Sequence, residues 1–318
     1  MHEGLLSFLD RCNIDTNKPI GVGVSGGADS MCLAHILAQA GFEIHAFTVD
    51  HGLRAEAKTE AAQVSEWLKS YENVTHHILT WSHEGVEARI QEAARKARFD
   101  LMHGKCLDLG IETLFLGHHR DDQAETVLMR LSKGSGLDGL GGMEALSIRA
   151  GLKIARPLLD ISHAEIVAFC TDNKIQWIED PSNRDEKFER VRLRRAREVL
   201  EAEGLSNKRL ALTAQRLIRA KQALEEISKK AWKGLCVHQS TRDIHLDFSK
   251  WQAQPEEIQI RVLQKAFLIL EAERDYAPRL ERIENLNAQL RDENVFKKVS
   301  FGHCFVERKN DKILIYKN

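Results

Sequence analysis

The densest chemistry in this chain is the run Ser25-Gly-Gly-Ala-Asp-Ser30. An apolar stretch, residues 20–24, precedes it, and a helix-like pattern follows. Gly26 and Gly27 let the backbone turn tightly and aim several N–H groups at one point. Ser25 and Ser30 add hydroxyls, and the N-terminus of the next helix adds partial positive charge. Together these suit a phosphate. The run has no Lys and no four-residue spacer, so it is not a Walker A loop, and it is not a GxGxxG turn. The bland alternative is a plain strand–turn–helix corner.

Other segments carry less specific signals. In Gly117-His-His-Arg-Asp-Asp-Gln-Ala-Glu-Thr126, Asp122 and Glu125 stand three apart and share one side of a helix start. They could equally be a cap, with Asp122 closing the helix end and Glu125 at its third position. His118 and His119 with Asp121 could ligate a metal, but the set is short of a zinc constellation. Val49-Asp-His-Gly-Leu-Arg54 places Asp50 where a strand ends, within reach of a ribose or a magnesium ion, or merely in a turn. The turn Asp180-Pro-Ser-Asn183 leads into Arg190, Arg192 and Arg194. Residues 187–197 hold six basic side chains and one acidic, either a polyanion-binding stripe or a solvated helix face.

Taken in order, these segments resemble the tRNA(Ile)-lysidine synthases, a family of the N-type ATP pyrophosphatases. That family's pattern runs SGGxDS, VDHGLR, an Ala-Arg-x-x-Arg helix, GHHxDDxxET, GSGxxGLxGM, RPLL, and DPSN followed by R-N-x-aliphatic-R. This chain supplies Ala94-Arg-Lys-Ala-Arg98, Gly134-Ser-Gly-Leu-Asp-Gly-Leu-Gly-Gly-Met143 and Arg156-Pro-Leu-Leu159. It departs at Val191, where the family usually has Asn. The resemblance spans about residues 20–195 and suits a compact member without the extra C-terminal domain of longer ones.

The resemblance implies an adenine nucleotide alpha hydrolase-like fold and an ATP-dependent ligase of tRNA processing. Its substrates are ATP with Mg2+, L-lysine and the wobble cytidine of tRNA(Ile), and lysidine, AMP and pyrophosphate are its products. Ser25, Gly26, Gly27, Ala28, Asp29 and Ser30 would hold pyrophosphate, with Asp50 near the nucleotide. Asp29 or Asp50 would meet the magnesium. Arg98, Arg190 and Arg194 would neutralise the α-phosphate, and Asp122 and Glu125 would clamp the cationic lysine. His118 would help remove a proton from its ε-amine. The rivals are weaker. A tRNA thiolase usually needs paired Cys, a small-molecule synthetase usually carries a glutaminase part, and a non-catalytic nucleotide- or RNA-binding module has no need of an intact loop.

The elements that must position these residues follow from length and periodicity. At 318 residues the chain is long enough for about two domains. Strands at 20–24, 43–49, 74–79, 112–116 and 152–155 alternate with helices at 30–39, 55–70, 87–109, 122–131 and 162–173, the last capped by Ser162. That pattern predicts an α/β, doubly wound, mainly parallel sheet. A smaller, mostly helical C-terminal domain follows, with helices over 198–233, 256–272 and 279–292, an isolated strand at 244–248 and a terminal hairpin. The division falls near residue 205, so 1–205 is the catalytic part and 206–318 the tRNA-binding part. The six cysteines lie far apart, which excludes a zinc ribbon or a CxxC pair, and no apolar run approaches the length of a membrane span. With no N-terminal signal pattern, the expected setting is cytoplasmic; monomer and homodimer both stay open.

Overall fold

A computed structural model describes residues 1–52, 57–82, 90–179, 189–271, 278–292, 296 and 298–318, the side chains of 90–92 excepted. The chain divides into two compact units, Met1–Ser135 with Gly139–Gln215, and Gly136–Asp138 with Arg216–Asn318.

The first unit is built on β1 (Ile20–Gly23), β2 (Ile44–Asp50), β3 (Val74–Thr80), β4 (Thr113–Leu116), β5 (Leu146–Arg149) and β6 (Leu152–Ala155). They form one sheet in the order β3-β2-β1-β4-β6-β5. All neighbours are parallel except β5, which pairs antiparallel with β6 at the edge. The strands are short apolar runs because both faces are covered. Phe115 and Ala155 face one buried cluster, while Leu114 and Ile154, one residue away on the same strands, face another. The connecting helices are α2 (Ala28–Gln39), α3 (Ala57–Leu68), α4 (Ile90–Asp108), α5 (Arg120–Leu131) and α7 (His163–Asp172), and a single turn, α6 (Leu137–Leu140), lies in the glycine-rich segment after α5. The doubly wound, mainly parallel architecture is therefore as the alternation predicted.

Strand order reverses at β1, which pairs β2 on one side and β4 on the other. A crevice opens outside the carboxyl ends of strands at such a switch point. The segments following Gly23 and Leu116, paired across that point, are the phosphate-type loop and the His-rich cluster.

Two elements of this unit have no counterpart in the sequence reading. The amphipathic α1 (His2–Arg11) buries Leu5, Phe8 and Leu9 against the core. Each such side chain is worth about 1.5–3 kcal/mol of burial. The edge strand β5 was also missed; its half-exposed Leu-Ser-Ile-Arg sequence carries little periodic signal. The basic block forms α8 (Glu189–Arg195), and α9 (Arg197–Ala202) begins at its last residue.

In the second unit the long α10 (Asn207–Leu235) continues from the first, followed by β7 (Cys236–Gln239), β8 (Asp243–Asp247), α11 (Phe248–Gln252), α12 (Glu256–Leu270), α13 (Leu280–Arg291), β9 (Val299–Phe301), β10 (Cys304–Lys309) and β11 (Lys312–Lys317). The strand expected to be isolated is not. It is β8, second in an antiparallel sheet of order β7-β8-β11-β10-β9, and the terminal hairpin supplies its neighbour β11. Trp251, Phe267 and the apolar stripe of α12 are buried in this unit's own core. No described helix is long and apolar enough to cross a membrane.

Candidate functional site

The loop after β1 is tied to itself. Ser30 Oγ accepts the backbone N–H of Ser25 at 3.1 Å and donates to the carbonyl of Gly27 at 3.0 Å. Ser25 Oγ lies 3.3 Å from Ser30 Oγ. Gly27 is the residue before α2 and no side chain caps that helix end. Gly26 has φ +88°, and its carbonyl accepts the Ile178 N–H at 2.9 Å. A Cβ there would stand 2.8 Å from Val64 Cγ2. Gly117, at the end of β4, is equally confined, because a Cβ would meet the backbone carbonyl of Asp29 at 3.0 Å. The two segments of the crevice can approach only as glycines. Ala28 is buried behind the loop, and Asp50 is buried at the end of β2 with Oδ1 on the Gly52 N–H at 2.9 Å.

Two cavities open from this corner. The first, about 460 Å3, is lined by Ser25, Asp29, Ser30, His118 and four arginines: Arg95, Arg98, Arg149 and Arg156. Its acids are Asp29 and Glu60. Arg95 and Arg98 make no hydrogen bond or ion pair among the described residues. Although exposed in area, their guanidinium groups are crowded by protein, and that crowding and the charge of Arg190 hold both below the usual arginine range. Burial likewise lowers Arg156, to about 10. The Arg149 guanidinium stacks 3.7 Å from the centre of the Phe99 ring. This is a cavity for a polyanion with a flat, aromatic-edged wall.

The second cavity, about 360 Å3, has the opposite character. Asp29, Asp121, Asp122 and Glu125 line it with His119, His163, Arg194 and Arg197. Asp29 belongs to both cavities. The carboxylates expected to hold lysine and the arginines expected at the α-phosphate are in direct contact. Arg194 Nε donates to Glu125 Oε1 at 2.6 Å, and Arg190 Nη1 donates to Asp122 Oδ1 at 3.5 Å. Burial raises the Glu125 carboxyl, and Arg194 only partly offsets this. Burial also pushes Asp122 up, but its neighbours His119, His118 and Arg190, with the His119 N–H, outweigh it and hold Asp122 below the usual range. Asp121 accepts from Asn207 Nδ2 at 2.8 Å.

The capping arrangement differs from the one considered from sequence. His119, not Asp122, caps α5. Its Nδ1 accepts the N–H groups of Asp121 and Asp122 at 3.2 and 3.4 Å, and Asp122 Oδ2 accepts the His119 N–H at 3.2 Å. Asp122 is thus the third residue of a capping box, and Glu125 is released to face the cavity.

This fixes the tautomer of His119. With Nδ1 accepting, Nε2 carries the proton, 3.7 Å from Asp29 Oδ2 and 3.5 Å from Asp122 Oδ2. Asp29, His119 and His163 lie close enough to surround a metal ion. The committed tautomer makes His119 a donor in that group, so the set does not fit a metal. The pairing of His118, His119 and Asp121 as ligands fails for the same reason.

His118 is half-buried in the wall of the first cavity, and its Nδ1 is buried with no partner among the described residues. Burial pushes the ring down to about 3, so it stays neutral near neutral pH. His118 lines the first cavity and not the second, where Asp122 and Glu125 stand.

Asp180-Pro-Ser-Asn183, Leu53, Arg54 and Lys187 lie outside the described residues. The glycine-rich 134–143 segment is held by α5: Gln123 pairs with the Met143 N–H at 2.7 Å and its carbonyl at 2.8 Å, and Arg130 donates to the Gly142 carbonyl at 2.8 Å. Sequence reasoning missed Arg149 and Arg156 as cavity arginines, and missed His163 altogether. The only signal for His163 was its place directly after the Ser162 cap.

Comparison with known proteins agrees with this geometry. The PP-loop domain family matches residues 3–202. A tRNA(Ile)-lysidine synthase of Wolbachia pipientis wMel is 33% identical over 306 residues, covering 94% of this chain and 70% of its own. One from Methylobacterium sp. is 41% identical over 266 residues, covering 83% and 77%. Among solved structures, the U34-tRNA thiolase NcsA of Methanococcus maripaludis superposes with a TM-score of 0.59 at 19% identity, over 69% of this chain and 77% of that one, a likeness of fold.

Proposed function

Because this chain belongs to the tRNA(Ile)-lysidine synthases, a PP-loop family of ATP-dependent ligases, we propose that it joins L-lysine to the wobble cytidine of tRNA(Ile) in two steps. In the first, the cytosine O2 attacks the α-phosphorus of ATP, the bond to the β-phosphate oxygen breaks, and pyrophosphate leaves. In the second, the lysine ε-nitrogen bonds to C2, and the C2–O2 electrons leave with AMP. The observation that carries this reading is Asp29 standing in the wall of both an arginine-lined and a carboxylate-lined cavity. One cavity suits the triphosphate and the other suits an ammonium, so the two substrates meet at one corner.

The Ser25–Ser30 loop offers backbone N–H groups and hydroxyls to the departing pyrophosphate. Arg95 and Arg98, which hydrogen-bond no carboxylate among the described residues, offset charge at the α-phosphate. A magnesium ion bound with ATP would neutralise phosphate charge and polarise the leaving group. Asp29, in the wall of both cavities, or Asp50, at the end of β2, would hold it. Lysine enters the second cavity by exchanging with Arg194 at Glu125 and Arg190 at Asp122, one cation replacing another. The arginines so released can turn to phosphate. Arg192 and Arg195 of α8, and cationic residues of the second unit, are assigned to the tRNA backbone.

The test is a pair of assays. Pyrophosphate release should require tRNA(Ile), and labelled lysine should become acid-precipitable with that tRNA and not with tRNA(Met). Pyrophosphate release indifferent to tRNA would overturn the reading.

A further inference from the structure

We propose that Cys32 and Cys170 close a reversible disulfide under hydrogen peroxide, and that this bond disables the nucleotide corner. The bond stands on its own geometry; its effect on activity rests on the function proposed above.

The two thiols come from different helices. Cys32 lies on α2, just past the Ser25–Ser30 loop, and Cys170 lies near the end of α7. Both are fully buried in one apolar cluster, and both are free thiols. They meet at one carbonyl. Cys170 Sγ donates to the Ala28 oxygen at 3.6 Å, across 142 positions of chain. The helix offers the same oxygen to the backbone N–H of Cys32, four residues on. There the two side chains hydrogen-bond each other. Thiols already in contact meet the proximity that a disulfide requires.

Neither sulfur lines either cavity, so the pair takes no part in the ligation itself. A buried cysteine without such a part is ordinarily a small apolar filler. This pair is set apart by the sulfur–sulfur contact and by its place directly behind the phosphate-type loop. At its other end α7 meets α2 again, where His163 Nδ1 stands 2.9 Å from Asp29 Oδ1.

The two thiols are unequal. The hydrogen bond from Cys32 holds the Cys170 thiol below its usual range, against the effect of burial. Cys170 is therefore the attacking sulfur. It also sits on the more loosely held helix: α7 fully buries only Ile166 and Cys170, whereas α2 buries most of its length. Local opening of α7 admits a molecule as small as peroxide.

The chemistry balances. The Cys170 thiolate attacks one oxygen of hydrogen peroxide, the O–O bond breaks, and the departing hydroxide takes up the proton that Cys170 released. This leaves a sulfenic acid and one water. The Cys32 sulfur then attacks the Cys170 sulfur. The S–S bond forms, the S–O bond breaks, and the hydroxide leaves with the Cys32 proton as a second water. The thiols lose two electrons and the peroxide gains them. Exchange with dithiothreitol reverses the bond.

Bonded sulfurs lie well inside the contact distance of two thiols, so α2 and α7 must draw together. The Cys170 S–H bond to the Ala28 carbonyl is lost at the same time. Ala28 is the first residue of α2, so the loop ahead of it shifts.

The test treats the full-length reduced chain with hydrogen peroxide, alkylates the remaining thiols in denaturant and weighs the peptides. A Cys32–Cys170 cross-linked peptide should appear. Pyrophosphate release with tRNA should fall about 100-fold, the cost of a small misplacement at a reacting centre. Dithiothreitol should reverse both. Cys170→Ala lacks the attacking sulfur and should keep its own starting activity in the same peroxide. Cys32→Ala should stop at a sulfenic acid on Cys170, which dimedone labels. Alkylation of both Cys32 and Cys170 after peroxide would overturn the proposal. So would a cross-linked protein that still releases pyrophosphate, or a Cys170→Ala protein inactivated as fast as wild type. Reduced wild type that releases no pyrophosphate with tRNA would instead sink the underlying function, and the cross-linked peptide would still report the bond.

Discussion

Arg194 holds Glu125 by a 2.6 Å hydrogen bond from Nε to Oε1, inside the cavity assigned to lysine. The carboxylate side chain is 8% exposed and the guanidinium 43% exposed, so the cation is the partner able to leave. Lysine binding is then an exchange of cations. Glu125→Gln removes the charge both cations need, and the lysine KM should rise about 10- to 100-fold, the worth of a charged hydrogen bond. Arg194→Ala acts oppositely on binding: the lysine KM should fall, while pyrophosphate release slows. Steady-state titration with lysine separates the two. A raised lysine KM in R194A would contradict the exchange.

The same carboxylates give opposite pH signatures. Burial raises the Glu125 carboxyl, so the folded protein holds its proton to higher pH than the unfolded chain. Its contribution to stability is present below the unfolded carboxyl pKa and is lost as pH rises through the folded value. Lysine binding needs the ionised form, so the lysine KM should fall as pH rises through the mildly acidic range, and E125Q should flatten that limb. Asp122 is net lowered; its contribution is present above the unfolded value and lost as pH falls through the folded one. Denaturant unfolding of Asp122→Asn against wild type should therefore show a difference that shrinks on strong acidification.

Much of this was legible in the sequence because it is local. Ser25-Gly-Gly-Ala-Asp-Ser30 follows a strand and opens a helix within a dozen residues, so type, spacing and element point the same way. The alternative of a cap at Asp122 is met only in part, because histidine is an unusual cap: His119 closes the helix end and Asp122 is the third residue of its box. His163 was invisible for a different reason. Its partner Asp29 lies on another helix, and nothing in the sequence near either residue marks the contact. Likewise β8 looked isolated until β11, some 70 positions later, paired with it. Pairing across such distances is decided by packing, which periodicity alone does not report.

The basic block makes a salt-dependent prediction. Arg190, Arg192, Arg194 and Arg195 lie on α8, whose only buried side chain is Val191. If α8 touches tRNA phosphates, log K should fall linearly with log salt. Arg192→Ala should weaken tRNA binding and reduce that slope by about 0.7–0.9. ATP affinity, measured without tRNA, should hold. Filter binding across a salt series checks this, and an unchanged slope would remove Arg192 from the interface.

Gly26 gives the sharpest test of the phosphate loop. Its φ of +88° strains any side chain, and an added Cβ would press within 2.8 Å of Val64 Cγ2 and 3.0 Å of Ile178 Cδ1. Neither neighbour is the end of a long flexible chain, and Val64 is fully buried in the core. Backbone strain and overpacking each amount to about 1–3 kcal/mol, so Gly26→Ala should lower the melting temperature by several degrees. It should also abolish ATP binding, because relief requires the loop to move away from the anion position. Ser25→Ala separates the two effects. Ser25 is exposed, and its hydroxyl contacts only Ser30 among the described residues, so stability should change by less than about 0.5 kcal/mol. Its ATP affinity should nonetheless fall, since one donor to the phosphate is gone. Calorimetry of ATP binding beside thermal unfolding reads both quantities; full ATP affinity in G26A would show that the nucleotide does not use this corner.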